Sequence, residues 1–161
     1  KALPKNLVVL RSVGKFFGLA GIRLGFTFAA PEVLDALANK LGPWSVNGPA
    51  QTVAIAALND SQWQTDMGAK LAYEAPLQLD IWQHTMTSLG ANLAAQHELF
   101  RSFIMTPDLA HKLHQSAAKK GILLRPVDIN SRTSLLRFGN IDLSQASAIR
   151  RCNTWLQQEA P

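Results

Sequence analysis

The chain has 161 residues, 47% of them hydrophobic and 17% charged, which is enough for one compact domain, or for one small domain and part of another. This balance, with no low-complexity tract, excludes disorder and collagen-like or mucin-like structure, and no apolar stretch reaches the ~18 residues of a membrane-spanning helix. Sixteen Lys and Arg against eleven Asp and Glu give a net charge of +5. The basic residues are scattered, with no run longer than Lys119-Lys120 or Arg150-Arg151 and no interleaved aromatics, so they favour pockets for small anions over a nucleic-acid face.

The single cysteine, Cys152, allows no internal disulfide and reads as a structural thiol in a reducing cytoplasm. The opening Lys-Ala-Leu-Pro-Lys carries neither an initiator Met nor the zones of a signal peptide, and reads as the middle of a gene.

In chain order, Leu7 to Leu10 is an unbroken apolar run of the kind that forms a strand buried on both faces. Val13 to Gly21 sets three glycines around two phenylalanines, a loop whose backbone must turn tightly or approach something closely. Ile22 to Phe28 alternates with period two and predicts a second strand. Pro31 opens an amphipathic helix to about Asn39, stopped by Gly42-Pro43. Asn47-Gly48-Pro49 is a turn that caps a second helix, Ala50 to Leu58, whose alanines predict burial.

From Ser61 to about Leu89 the spacing of Trp63, Met67, Leu71, Leu77, Ile81 and Trp82 is helical, with Pro76 expected to kink or divide the helix. Beyond Gly90-Ala91-Asn92 the pattern predicts a strand over Leu99 to Thr106, a helix over Pro107 to Lys120, and strands over Ile122 to Val127 and Ser134 to Gly139. A last helix, capped by Asp142-Leu143-Ser144, is expected to reach about Gln158. This β-α-β-β-α order makes residues 61–161 a complete small α+β layer. Residues 1–60 hold two strands and two short helices, too few to cover their own apolar surface.

The densest chemistry lies on the first loop, where Ser12, Lys15 and Arg23 sit among Gly14, Gly18, Gly21 and Gly25. A phosphate is best held by a guanidinium, a hydroxyl and backbone N–H groups, and a lysine beside other cations becomes nucleophilic, so Lys15 is placed to form a Schiff base next to a phosphate clamp. The competing reading leaves Lys15 and Arg23 as solvated loop charges. Ser12-Val13-Gly14-Lys15 also fits the S-x-x-K of serine acyl-transferring enzymes, but neither S-D-N nor K-T-G accompanies it. Gly14-Lys15 lacks P-loop spacing, and Gly18, Gly21 and Gly25 do not make a dinucleotide fingerprint. His111 and His114 stand at i, i+3 with His84 and His97 remote, a pattern of surface histidines on an amphipathic helix, so no metal site is expected.

The segment Ser12-Val13-Gly14-Lys15-Phe16-Phe17-Gly18-Leu19-Ala20-Gly21-Ile22-Arg23-Leu24-Gly25-Phe26 resembles the cofactor-lysine motif of fold-type I pyridoxal-phosphate enzymes, in particular the histidinol-phosphate aminotransferase group. The resemblance implies pyridoxal 5'-phosphate as cofactor, Lys15 as its covalent lysine, and Ser12 and Arg23 as ligands of its phosphate. Gly42-Pro43-Trp44-Ser45-Val46-Asn47-Gly48-Pro49 is similar to the segment after that lysine in the same group, with Asn47 implied at the substrate, and its Gly-Pro-Trp opening looks closest to the threonine-phosphate decarboxylases of cobalamin biosynthesis. Gly121-Ile122-Leu123-Leu124-Arg125-Pro126 and Leu135-Leu136-Arg137-Phe138-Gly139 resemble the family's substrate segments, which implies Arg137 at the substrate carboxylate and Arg125 at its phosphate.

The implied fold is α/β: the C-terminal part of the large cofactor domain over residues 1–60, then a complete small α+β domain of the aspartate-aminotransferase-like fold over residues 61–161. The implied activity is decarboxylation of L-threonine O-3-phosphate to aminopropanol phosphate, with a histidinol-phosphate-type aminotransferase as the alternative. The implied partners are a small phosphorylated amino acid and a second copy in a cytoplasmic homodimer, with no nucleic acid and no membrane. The family's phosphate turn, ring-stacking aromatic and pyridine-pairing aspartate all precede the lysine, so this stretch by itself is expected to be inactive. A non-catalytic fragment that self-associates through its open strands is the remaining alternative.

Overall fold

The computed structural model describes residues 4–160; the outermost residues of the two expected domains, 1–3 and 161, lie outside that range. The chain divides into two compact units, Lys1–Thr65 and Asp66–Pro161.

In the first unit, β1 (Val9–Ser12) pairs antiparallel with β2 (Gly25–Phe28), from Val9 opposite Phe28 to Ser12 opposite Gly25. The period-two run before Gly25 is not all strand. Ala20–Ile22 forms a single 3-10 turn and Arg23 takes a left-handed backbone at φ 55°, a conformation uncommon for a residue with a Cβ. α1 (Pro31–Leu41) opens with Pro at its first turn, where the missing N–H is not needed, and Gly42 at φ 72° ends it. α2 (Gly48–Asn59) is capped by Asn47, whose Oδ1 accepts from Ala50 N at 2.8 Å.

Two burial expectations fail here. Leu10 is 73% exposed, and on α2 only Ala50 and Ala54 are buried while Ile55 is 61% exposed. The reason is geometric: β1 has β2 as its one strand partner among the described residues, and a two-stranded ribbon cannot bury both faces.

α3 (Ser61–Ser88) runs unbroken through Pro76. Asp60 Oδ1 accepts from Trp63 N at 3.0 Å at its start, and Gln96 Nε2 donates to the Ala75 carbonyl at 3.3 Å beside the proline. The four-stranded sheet of the second unit has the order β3-β4-β6-β5, antiparallel throughout. Its strands are β3 (Asn92–His97), β4 (Phe100–Met105), β5 (Arg125–Asn130) and β6 (Thr133–Gly139). β3 was not expected from the sequence: Asn-Leu-Ala-Ala-Gln-His has no apolar alternation because the edge strand is exposed along its whole length. Ile122 to Leu124, expected as strand, precede β5 instead, because α4 (Pro107–Lys119) ends with Gly121 at φ 71° and Ile122 N bonded back to the Ala117 carbonyl at 2.9 Å.

α5 (Ala146–Glu159) starts later than its expected cap, since Asp142 spends its carboxylate on Ser144 and Gln145 in the turn before it.

Cross-strand partners share a face, so Phe103, Met105, Leu136 and Phe138 point together toward the helices. There they meet Trp82 and Met86 of α3, Ala110, Leu113 and Ala117 of α4, and Cys152, Trp155 and Leu156 of α5, all buried. Burial raises the Cys152 thiol, which keeps it protonated and inert. Trp155 Nε1 donates to Ser116 Oγ at 2.7 Å and Ser116 donates to Glu159, a bonded chain that ties α5 to α4.

On the rim of the same face His111 Nε2, on α4, donates to both oxygens of Asp128, on β5, at 3.2 and 3.0 Å. That hydrogen bond, more than any other influence, holds the Asp128 carboxyl below its ordinary value. Because the folded-state value is the depressed one, the contribution is complete above the unfolded carboxyl's value of about 4 and disappears as pH falls through the folded one. The stability gap between the native chain and an Asp128→Asn variant, followed by urea unfolding, is expected to be constant from pH 5 to 6 and to close progressively below about pH 4; a gap independent of pH would count against the pairing.

Candidate functional site

The loop between β1 and β2 is built around one buried residue. Val13, 1% exposed, anchors it, and Leu19 N donates to the Val13 carbonyl at 3.1 Å, closing the loop on itself. Gly18 N donates to the Lys15 carbonyl at 3.1 Å in a turn that needs the positive φ of Gly18, 68°. The backbone is tightly approached at Gly25, where a Cβ would stand 3.1 Å from the Arg11 carbonyl oxygen. With the apolar anchor inside, the polar side chains have nowhere to go but outward, so Ser12, Lys15 and Arg23 are all exposed.

These three residues line one cleft of about 360 Å³ together with Gly14, Leu19, Ala20, Leu24 and Gly25. Ser12 Oγ accepts from Gly14 N at 3.3 Å, which turns the hydroxyl back over the loop, and Arg23 Nη1 donates to the Ala20 carbonyl at 3.3 Å, which leaves most of the guanidinium's five N–H groups for a ligand. Lys15 makes no ion pair or hydrogen bond through its ammonium among the described residues. Two cations, a hydroxyl and open backbone with no carboxylate in the lining are the donor set of an anion site.

Sequence reasoning passed over the support behind Lys15. Phe16 and Phe17 meet edge to face at 5.1 Å, and both pack on Trp63, Phe17 nearly parallel to it at 5.6 Å. The aromatic pair directly after the lysine was the available signal, and what it lacked was any hint that Trp63 lay within reach. Such ring contacts stabilise by about 0.5–1.5 kcal/mol each beyond the area they bury, so the residue after Lys15 is held while Lys15 itself is not. Asn47 is accounted for locally as the cap of α2; with Oδ1 committed to Ala50 N, its Nδ2 is the atom left for a ligand.

In the second unit the remaining two predicted residues are brought together. β5 and β6 pair so that Arg125 lies directly opposite Arg137, on the face away from the helices. Like charges directly opposite each other destabilise a sheet. Neither guanidinium meets a carboxylate among the described residues. Arg137 instead lies over the ring of Phe100, 5.2 Å from its centroid, which holds the side chain by cation–π attraction and leaves its N–H fork free. A bound anion would turn the repulsion between the two arginines into a clamp. Inorganic phosphate is therefore expected to raise the urea midpoint of the native chain in a concentration-dependent way, through preferential binding to the folded state. The same titration on Arg125→Leu is expected to show a higher midpoint without phosphate and a smaller increment with it, and equal increments in the two proteins would refute the clamp.

A family model described as "Aminotransferase class I and II" matches residues 2–142. The chain is 42% identical over 121 residues to the threonine-phosphate decarboxylase of Pseudomonas aeruginosa, covering 74% of this chain and 34% of that one. It is 33% identical over 123 residues to the histidinol-phosphate aminotransferase of Bdellovibrio bacteriovorus, covering 76% and 32%. The chain thus spans about a third of the length of these relatives. Among solved structures, the histidinol-phosphate aminotransferase of Sinorhizobium meliloti, in complex with pyridoxal-5'-phosphate, superposes with a TM-score of 0.71 at 18% identity, over 99% of this chain and 43% of that one.

Proposed function

This chain belongs to the class I and II aminotransferase family, and within it we propose that it is the cofactor-lysine and substrate-arginine portion of a threonine-phosphate decarboxylase. The reading rests on one observation above the others: identity to a relative of that name reaches 42%, against 33% for the aminotransferase relative described above, over stretches of nearly equal length. The first unit is taken as the C-terminal part of the large cofactor domain, consistent with the apolar surface its two-stranded ribbon leaves exposed, and the second as the small domain.

The cleft of the first unit fits pyridoxal 5'-phosphate, because its lining combines a guanidinium, a hydroxyl and an unpaired primary amine with no acidic side chain. When bound, that cofactor supplies an electron sink for the carbanion left when a bond to the substrate's α-carbon breaks. Arg23 and Ser12 hold its phosphate through charge-assisted and hydroxyl hydrogen bonds. Lys15 would be the residue that holds the cofactor through Nζ and, once that atom is released, would carry a proton there.

Arg137, held over the Phe100 ring, presents its N–H groups to the substrate carboxylate, and Arg125 opposite it takes the phosphate end. Fixing both anionic ends decides which bond at the α-carbon is aligned to break, so these two arginines select between loss of carbon dioxide and loss of a proton. The same residues serve a histidinol-phosphate-type aminotransferase, which is the second reading and is supported by the 33% identity to such an enzyme. Assembly as a homodimer belongs to the same proposal.

Carbon dioxide release from L-threonine O-3-phosphate, measured on the product of the complete gene with no keto-acid acceptor, is expected, and Lys15→Ala is expected to reduce it by roughly a thousandfold or more. Turnover of histidinol phosphate that requires an acceptor, with no release of carbon dioxide, would replace the decarboxylase reading by the aminotransferase one.

A further inference from the structure

A third guanidinium in the sheet, beside those of Arg125 and Arg137, has no role in the reading above. Arg101, on β4, is 0% exposed. It lies opposite Phe138 of β6, so its side chain enters the helix-facing side of the sheet with Phe103 and Phe138, the opposite side from Arg137. Arginine is almost never fully buried unless paired, yet among the described residues no carboxylate forms an ion pair with Arg101. Its Nη1 donates to the Gly139 carbonyl at 3.2 Å and its Nη2 to Asn140 Oδ1 at 2.6 Å, while Nε has no partner.

A buried cation held by two neutral acceptors and short of one hydrogen bond is a poor stabilising device, since apolar replacements of buried charge are often neutral or better for stability. Its position suggests another use. The acceptors are on the last residue of β6 and the residue after it, two and three positions beyond Arg137. Around them Asn140 Nδ2 donates to the Glu98 carbonyl at 2.8 Å, and Gln78, itself fully buried, bonds Ile141 in both directions at 2.6 and 3.0 Å.

We propose that Arg101 is a positioning residue: from the core side of the sheet it clamps the Gly139–Asn140 end of β6, and so fixes where Arg137 presents its guanidinium on the other side. The inference rests on the reading of Arg137 as the group that holds the substrate carboxylate. Strand register is what gives it force. Side chains alternate faces with period two, so any loosening at the end of β6 moves Arg137 relative to Phe100 and Arg125. A bidentate contact to a carboxylate tolerates little displacement.

The test uses the product of the complete gene, with Arg101→Met to keep core volume, Arg101→Lys to restore one donor, and Arg137→Ala as reference. Arg101→Met is expected to unfold at an equal or higher urea concentration than the native protein, to raise KM for the anionic substrate about tenfold or more, and to change kcat less than about threefold, with Arg101→Lys between the two. Hydrogen exchange over the peptide 133–141 is expected to quicken in Arg101→Met. A folded Arg101→Met with native KM and native exchange overturns the proposal.

Should Arg101→Met fail to fold, Asn140→Ala, which removes one acceptor at an exposed position, decides in its place: a raised KM supports the clamp and an unchanged KM overturns it. Raised KM in Arg137→Ala beside unchanged KM in the Arg101 and Asn140 variants sinks this inference alone. An unchanged KM in Arg137→Ala removes the reading of Arg137 and the inference with it.

Discussion

The antiparallel register of β4, β6 and β5 is the constraint from which the second unit follows. With Leu136 opposite Phe103 and Phe138 opposite Arg101, every second residue of β6 is committed to the helix side. The residue between them, Arg137, is thereby committed to the other side, opposite Arg125. The apolar core and the pair of facing arginines are two consequences of one pairing. Burial of Leu136 and Phe138, both 0% exposed, supplies the free energy that keeps two like charges side by side, since each such side chain contributes about 1.5–3 kcal/mol on transfer from water against the smaller repulsion of half-exposed charges.

The same logic explains why this face of the sheet is chemically usable. An arginine between two buried neighbours cannot change faces without breaking the strand, and its cation–π contact with Phe100 restricts the remaining side-chain freedom. Less ordering is then left for a ligand to impose, so binding costs less. In the first unit the corresponding device is the buried Val13 with the Leu19 N to Val13 carbonyl bond. It forces a short loop to turn its polar groups outward, while the Phe16, Phe17 and Trp63 rings hold the residues just after Lys15.

The two units differ in how far they satisfy themselves. The second buries a continuous cluster contributed by three helices and two strands. The first leaves Leu10, Ile55 and Trp44 exposed, the last at 92%, and its sheet has two strands. Apolar residues in a strand or helix pattern report only that a face is meant to be covered. They do not say by what, which is why Leu7 to Leu10 and α2 read as buried from their composition and stand largely exposed in the structure, with Ala50 and Ala54 the buried exceptions on α2.

Local chemistry fixes what is local, and that much was readable from the chain alone. Pro31 and Pro107 at helix starts, Asn47 as a cap, Gly121 as a helix end, and the grouping of Ser12, Lys15 and Arg23 on one glycine-rich loop all follow from neighbours in sequence, and the resemblance of that loop carried the family with it. Tertiary structure decided the rest. β3 has no hydrophobic period because an edge strand is defined by the strand it joins; α3 survives Pro76 in a setting where a side chain from β3 reaches the adjacent carbonyl; the pairing of Arg125 with Arg137 depends on the register of two strands, and the burial of Arg101 on residues 38 and 39 positions away. Register and long-range pairing are properties of two segments at once, so no single segment of the sequence contains them.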